Sequence, residues 1–110
     1  MNIKTNNDIK KAVALEGLYH VMDPEIDLNI VDLGLVYQID FNEENKGIIV
    51  TMTLTTRFCP MGESIVDATT QAMQQSLPEY KINVNLIFEP PWDVSMISED
   101  GNNFLNGSAR

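Results

Sequence analysis

The residues best suited to chemistry lie in Thr55-Thr56-Arg57-Phe58-Cys59-Pro60-Met61-Gly62, which holds the one cysteine of the chain. There a strand-like period gives way to a helix-like one. A thiol at that junction meets the exposed N–H groups of a starting helix, which favour the thiolate, as does the nearby Arg57. An exposed helix end is worth about 0.3–1 kcal/mol, whereas a tenfold change in ionisation takes about 1.4 kcal/mol. Most of the thiol therefore stays protonated at neutral pH unless a metal or a stronger cation intervenes. That suits a ligand better than a nucleophile. A nucleophile also needs a base, and the one histidine, His20, sits on a different element. No Cys-x-x-Cys, His-Glu-x-x-His or phosphate-binding glycine loop occurs. One cysteine cannot fill a tetrahedral metal site, so further ligands would come from a second subunit, a partner or a small thiol. By position alone, Cys59 also reads as a small buried hydrophobe at a helix start.

Periodicity supplies the elements that position this stretch. Asp8 to Met22 reads as a helix, with Ile9, Ala12, Val13, Leu15, Leu18, Tyr19 and Met22 as its apolar stripe. Asn6 or Asn7 caps it, Pro24 ends it, and His20 is a surface residue. From Ile30 the period becomes two, with Leu33, Leu35, Tyr37, Ile39 and Phe41 inward. A polar turn follows, with Gly47 available for a positive φ, and a second strand runs from Ile48 to Thr55. Its Ile48, Val50, Met52 and Leu54 face inward, and Thr51, Thr53 and Thr55 outward. Pro60 opens a helix carried by Met61, Ile65, Ala68, Ala72 and Met73. Ile82, Val84, Leu86 and Phe88 form a third strand, stopped by Glu89-Pro90-Pro91. A short helix within Ser95 to Leu105, capped by Asp93 or Ser95, precedes a disordered tail at 106–110. The order α-β-β-α-β-α predicts one α+β domain of two layers, a three-stranded mixed sheet covered by helices. Val50, Leu54 and Leu86 are expected in its core.

Strand two, helix and strand three form a crossover, so those strands run parallel, while strands one and two form an antiparallel hairpin. The start of strand one and the ends of the other two then share one end of the sheet. That brings Asp23, Glu25, Asp32, the segment containing Thr56, Arg57, Cys59 and Pro60, and the segment containing Glu89 and Trp92 together as a candidate functional surface. The acidic residues also have plain structural roles: Asp23 and Glu25 as turn residues, Asp32 as a cap on nearby amides. Trp92 reads as a packing lid.

The formal net charge of −9 argues against nucleic acid and anionic lipid as partners. No apolar run is long enough to span a bilayer, and the N-terminus lacks a signal-peptide core. Together with the single cysteine, these features predict a cytoplasmic protein.

Asp23-Pro24-Glu25, Ile30-Val31-Asp32-Leu33-Gly34-Leu35-Val36-Tyr37, Thr53-Leu54-Thr55 leading to Cys59-Pro60, and Pro90-Pro91-Trp92 stand in an order and spacing that resemble the metal–sulfur cluster assembly domain of the SufT and PaaD type. The resemblance runs from Asp8 to about Leu105. It implies an iron–sulfur assembly fold and a non-enzymatic accessory or targeting role in the maturation of iron–sulfur proteins. The family's reactive cysteine maps onto Cys59, and its acidic motif residues onto Asp23, Glu25 and Asp32. Thr56-Arg57-Phe58 departs from the commoner Pro-Gly-type turn. The cofactor implied is a transient iron–sulfur cluster or iron touching Cys59, with no stably bound group as the equal alternative. The implied partners are the iron–sulfur assembly machinery, client apo-proteins and a second copy in a homodimer. An accessory subunit for assembling a multicomponent aromatic-ring oxygenase is the other reading, although this chain ends without the cysteine-rich tail of such relatives. If Cys59 is a ligand rather than a nucleophile, its alkylation rate should titrate like that of an ordinary thiol. A strongly depressed titration would restore the nucleophile.

Overall fold

The computed structural model describes residues 3–24, 26–55 and 62–107. Helix α1 covers Asp8–Leu18. Asn7 caps it, its side chain accepting from the Lys10 N–H at 3.1 Å. The helix stops well before Pro24. N–H groups of His20 and Val21 close onto Gly17 and Leu18, tightening the last turn. The Val21 carbonyl then accepts from the Ile30 N–H at 2.9 Å, and the intervening chain forms a small antiparallel pair. Its strands are β2, Met22–Asp23, and β3, Leu28–Asn29. The expected apolar stripe is correspondingly broken: Ala14 and Leu18 are buried, whereas Ile9, Val13, Tyr19 and Met22 are exposed.

Ile30–Leu33 is a single helical turn, α2, rather than the start of a strand. The run Ile30, Val31, Leu33, Leu35 and Val36 is buried throughout, so its apolar spacing carries no strand-specific signal. Gly34 closes α2 in the left-handed region at φ 83°. Strand β4, Val36–Asn42, follows with an irregularity between Val36 and Gln38 that shifts the alternation. Ile39 and Phe41 are buried, while Tyr37 is only half-buried. Strand β5 covers Gly47–Met52. The positive φ of the intervening turn falls on Lys46, at 53°, rather than on Gly47. Ile48, Val50, Met52 and Leu54 are buried as expected, and Thr53 is buried with them.

Helix α3 is described over Gly62–Ser76, and β6 over Lys81–Leu86. In α3 the inward small residue is Thr69 rather than Ala68; its hydroxyl donates to the Ile65 carbonyl at 2.8 Å. Beyond β6 come a 3-10 turn at Val94–Met96 and helix α4 at Glu99–Gly107. The α+β class holds, with β4 and β5 antiparallel and β5 and β6 parallel. The sheet has four strands rather than three. Strand β1, Lys4–Thr5, lies parallel to β4, giving the order β1-β4-β5-β6. Two residues are too short to declare a period, but Ile3 beside them is buried. Asn6 extends this edge without being a strand. Its amide donates to the Phe41 carbonyl at 2.8 Å and accepts from the Phe41 N–H at 2.9 Å.

The turn between β4 and β5 is clamped. The Glu43 carboxylate accepts from Lys10 Nζ at 3.0 Å and from the Tyr80 hydroxyl at 2.8 Å. The Lys10 ammonium lies 4.8 Å from the Tyr80 ring centroid. Hydrogen bonds from Tyr80 and then Lys10 hold the Glu43 carboxyl below its ordinary range. The contacts with Tyr80 and then Glu43 raise Lys10. Glu43's contribution is therefore lost as pH falls through its folded pKa, and Lys10's as pH rises through its own. The clamp operates across neutral pH. Among the described residues, no helix is long and apolar enough to cross a membrane.

Val50 and Leu54 are 0% and 5% exposed, but Leu86 is 38% exposed and leaves the expected core set. Val50→Ala and Leu54→Ala should each cost about 2–5 kcal/mol in urea unfolding, and Leu86→Ala less than about 2 kcal/mol. Equal losses at all three positions would contradict this packing.

Candidate functional site

The sheet register defines the site end. Val36 pairs with Met52, and Met52 with Leu86, so the start of β4 and the ends of β5 and β6 lie in one row. The Thr53 N–H donates to the Leu35 carbonyl and the Ile87 N–H to the Met52 carbonyl, both at 2.9 Å. The chain therefore enters the cysteine segment at Thr55 from the middle of this row. Glu25, Thr56, Arg57, Phe58, Cys59, Pro60 and Met61 lie outside the described residues.

Asp32 stands at the centre of the described part. Asn29 caps α2 by accepting from the Asp32 N–H at 2.8 Å, and its own amide donates to Asp32 Oδ2 at 2.7 Å. This is a reciprocal cap built from two short polar side chains. Asp32 Oδ1 accepts from the Ser98 hydroxyl at 2.8 Å, and the Asp32 carbonyl accepts from the Ser98 N–H at 2.7 Å. Ser98 in turn caps α4, its Oγ accepting from the Gly101 N–H at 2.9 Å. Gly101 is buried where α4 meets α2; a Cβ there would lie 3.1 Å from Leu28 and 3.2 Å from the Asp32 carbonyl. Close helix approach explains a glycine in the middle of α4. Tyr19 is pushed up first by burial and then by the Asp32 and Asp100 carboxylates.

The segment after β6 straps this end from the other side. Trp92 Nε1 donates to the Leu33 carbonyl at 2.7 Å, satisfying a carbonyl at the end of α2. The Tyr37 hydroxyl donates to the Pro90 carbonyl at 2.9 Å; burial pushes this phenol up, so it remains the donor. A Cβ on Gly34 would run into the Met96 carbonyl. Asp93 caps the 3-10 turn by accepting from the Ser95 N–H at 3.0 Å. Hydrogen bonds from the Ser95 side chain and then its backbone lower Asp93. A groove of about 560 Å³ lies between the strap and the sheet, with Tyr37, Thr51, Ile87 and Met96 among its walls.

Asp23 is buried at 1% exposure, unlike an open ligand. Its Oδ1 accepts from the Ile26 N–H at 3.4 Å, and its carbonyl from the Asp27 N–H at 2.8 Å, closing the turn before β3. Glu89 is exposed beside the cis Glu89–Pro90 bond. Asp32 and Trp92 are thus joined through α2, and Asp23 lies one strand pair away. Among the described residues, no three His, Cys, Asp or Glu side chains form a metal-holding group. Sequence reasoning missed Asn29, Tyr37 and Ser98. Asn29-x-x-Asp32 before an apolar run was a readable cap signal, as was Ser98 before Glu99 and Asp100.

Comparison with known proteins gives a consistent result. The family model described as iron–sulfur cluster assembly protein matches residues 11–86. The Fe-S protein maturation auxiliary factor SufT of Staphylococcus aureus is 40% identical over 79 residues, 71% of this chain and 88% of that protein. The Fe-S protein maturation auxiliary factor YitW of Bacillus subtilis is 45% identical over 77 residues, 69% and 74% of the two chains. A solved domain of unknown function from Bacillus anthracis is 33% identical, with a TM-score of 0.81 over 91% of this chain and 98% of that one. The family match ends at β6, leaving the strap and α4 beyond it.

Ser98→Ala removes both a helix cap and a donor to Asp32. It should lower the stability of α4 by about 1 kcal/mol, read as faster amide exchange in α4 while β5 is unchanged. Unaltered exchange in α4 would contradict the capping role.

Proposed function

This chain belongs to the family of iron–sulfur cluster assembly proteins, and on that footing we propose that it is a non-enzymatic accessory factor in the maturation of iron–sulfur proteins. In this reading Cys59 is the transient contact to a cluster, an iron ion or a client protein. The cluster is cargo rather than a resident cofactor. The assembly machinery and client apo-proteins are the partners, and the cytoplasm is the place of work.

The observation that carries the reading is the separation of structural and chemical roles at the site end. The Asp32 carboxylate is committed to Asn29 and Ser98, and the Asp23 side chain closes a turn. These groups support a framework; they do not offer a ligand set. A single thiol entering from Thr55 then has to share its cargo with ligands from another molecule, which favours hand-over above storage. The relatives named as maturation factors support the same role and favour it over oxygenase assembly.

Cys59→Ala should fold normally, keeping its urea midpoint, and should fail to restore iron–sulfur enzyme activity in cells lacking the protein. Full restoration by a folded Cys59→Ala protein would overturn the role given to the thiol. Anaerobic reconstitution with iron and sulfide should give cluster absorption that is lost by removal against a chelator. A chelator-resistant cluster in the isolated protein would contradict transient binding.

A further inference from the structure

The two edges of the main sheet are finished differently. At the β4 edge, β1 pairs over two residues and the Asn6 amide occupies both backbone groups of Phe41. Strand β6 is the other edge. It donates to β5 from the Lys81 N–H at its start, at 2.7 Å to the Lys46 carbonyl, and again from the Ile87 N–H beyond its end. In a parallel ladder the residues alternate in the side to which their backbone groups point. The N–H and C=O groups of Ile82, Val84 and Leu86 therefore point away from the sheet, and no backbone partner meets them among the described residues.

Protein edges are ordinarily guarded by a bulge, a proline or charged side chains. Ile82-Asn83-Val84-Asn85-Leu86 has no charge and no proline, and its register with β5 is unbroken. Along it, Val84 is half-buried and Leu86 is 38% exposed, on the face shared with Val50 and Met52. Asn83 and Asn85 line the opposite face beside Ile49 and Thr51. We propose that the outer edge of β6 is a docking site for an extended basic segment of a partner protein, added as a fifth strand. Its apolar residues would lie beside Val84 and Leu86, and its basic residues on the asparagine face.

Charge selects this occupant. From Gly62 to Glu89 the chain carries Glu63, Asp67, Glu79 and Glu89, all exposed, against Lys81 alone, within a chain of net charge −9. A second copy would bring the same charges. Antiparallel pairing of two β6 strands about Val84 sets Glu79 of one copy opposite Glu89 of the other, and like charges facing across strands are unfavourable. A basic strand relieves that repulsion and gains encounter rate from the field. Backbone pairing supplies affinity, and the alternating side chains supply selectivity. The proposal goes beyond the reading of Cys59 and does not depend on it.

The test uses the full chain and a synthetic ten-residue peptide of alternating lysine and valine, read by amide hydrogen exchange. Binding should slow exchange at Ile82, Val84 and Leu86 by about tenfold or more, the equivalent of roughly 1.4 kcal/mol, and should weaken as salt rises. A glutamate–valine peptide, and the lysine–valine peptide N-methylated along its backbone, should give no protection. Val84→Pro removes one outward N–H and no bond to β5, so it should abolish the effect. Should that variant unfold, the methylated peptide alone decides the matter. Equal protection by the methylated peptide, or protection away from β6, would overturn the proposal. So would protection that appears without peptide as protein concentration rises, which would identify a second copy as the occupant.

Discussion

The four hydrogen bonds of Asp32 with Asn29 and Ser98 hold together parts of the chain that are distant in sequence. The exchange with Asn29 fixes the start of α2, and the two bonds from Ser98 seat α4 on it. A helix of one turn has little stability of its own, because nucleation consumes more entropy than so few bonds return. α2 persists because both its ends are tied, by Asn29 and Asp32 at the start and by Gly34 and Trp92 at the close. The short helix then sets where β4 begins. Through the hairpin and the crossover, β4 sets where the cysteine segment leaves the sheet.

The two ends of the molecule are stabilised in different ways. At the hairpin end, Lys10, Glu43 and Tyr80 join α1, the turn and the approach to β6 through polar contacts beside an aromatic ring. At the other end the bonds run mostly from side chain to backbone, through Asn29, Ser98, Trp92 and Tyr37. Such bonds fix the path of the chain more than they add to its net stability. That suits the contact with another molecule proposed for Cys59.

Much of the architecture was legible because the strands that matter alternate cleanly. Ile48, Val50, Met52 and Leu54 announce β5, and the crossover rule then sets β6 parallel to it without further information. The same reasoning placed the segments of Asp23, Asp32, Thr55 and Trp92 at one end. What escaped was local. Apolar residues from Ile30 to Val36 are buried on every side, so their spacing could not separate a helical turn from a strand. The shift at Val36–Gln38 is a backbone event without a residue signature. β1 is defined by its neighbour rather than by its own two residues. Asp23 and Asp32 were readable as acidic motif residues, but their hydrogen-bond commitments depend on Ile26, Asn29 and Ser98, and the link from Asp32 to Ser98 spans most of the chain.

Asn6 closes off Phe41 with one side-chain amide. A sheet open at both margins can add subunits head to tail without limit, whereas one open at a single margin has a valency of one. By occupying the backbone that β1 is too short to reach, this asparagine leaves less of that margin open to an added strand. A strand added at β6, as proposed, would then meet less competition from the opposite margin.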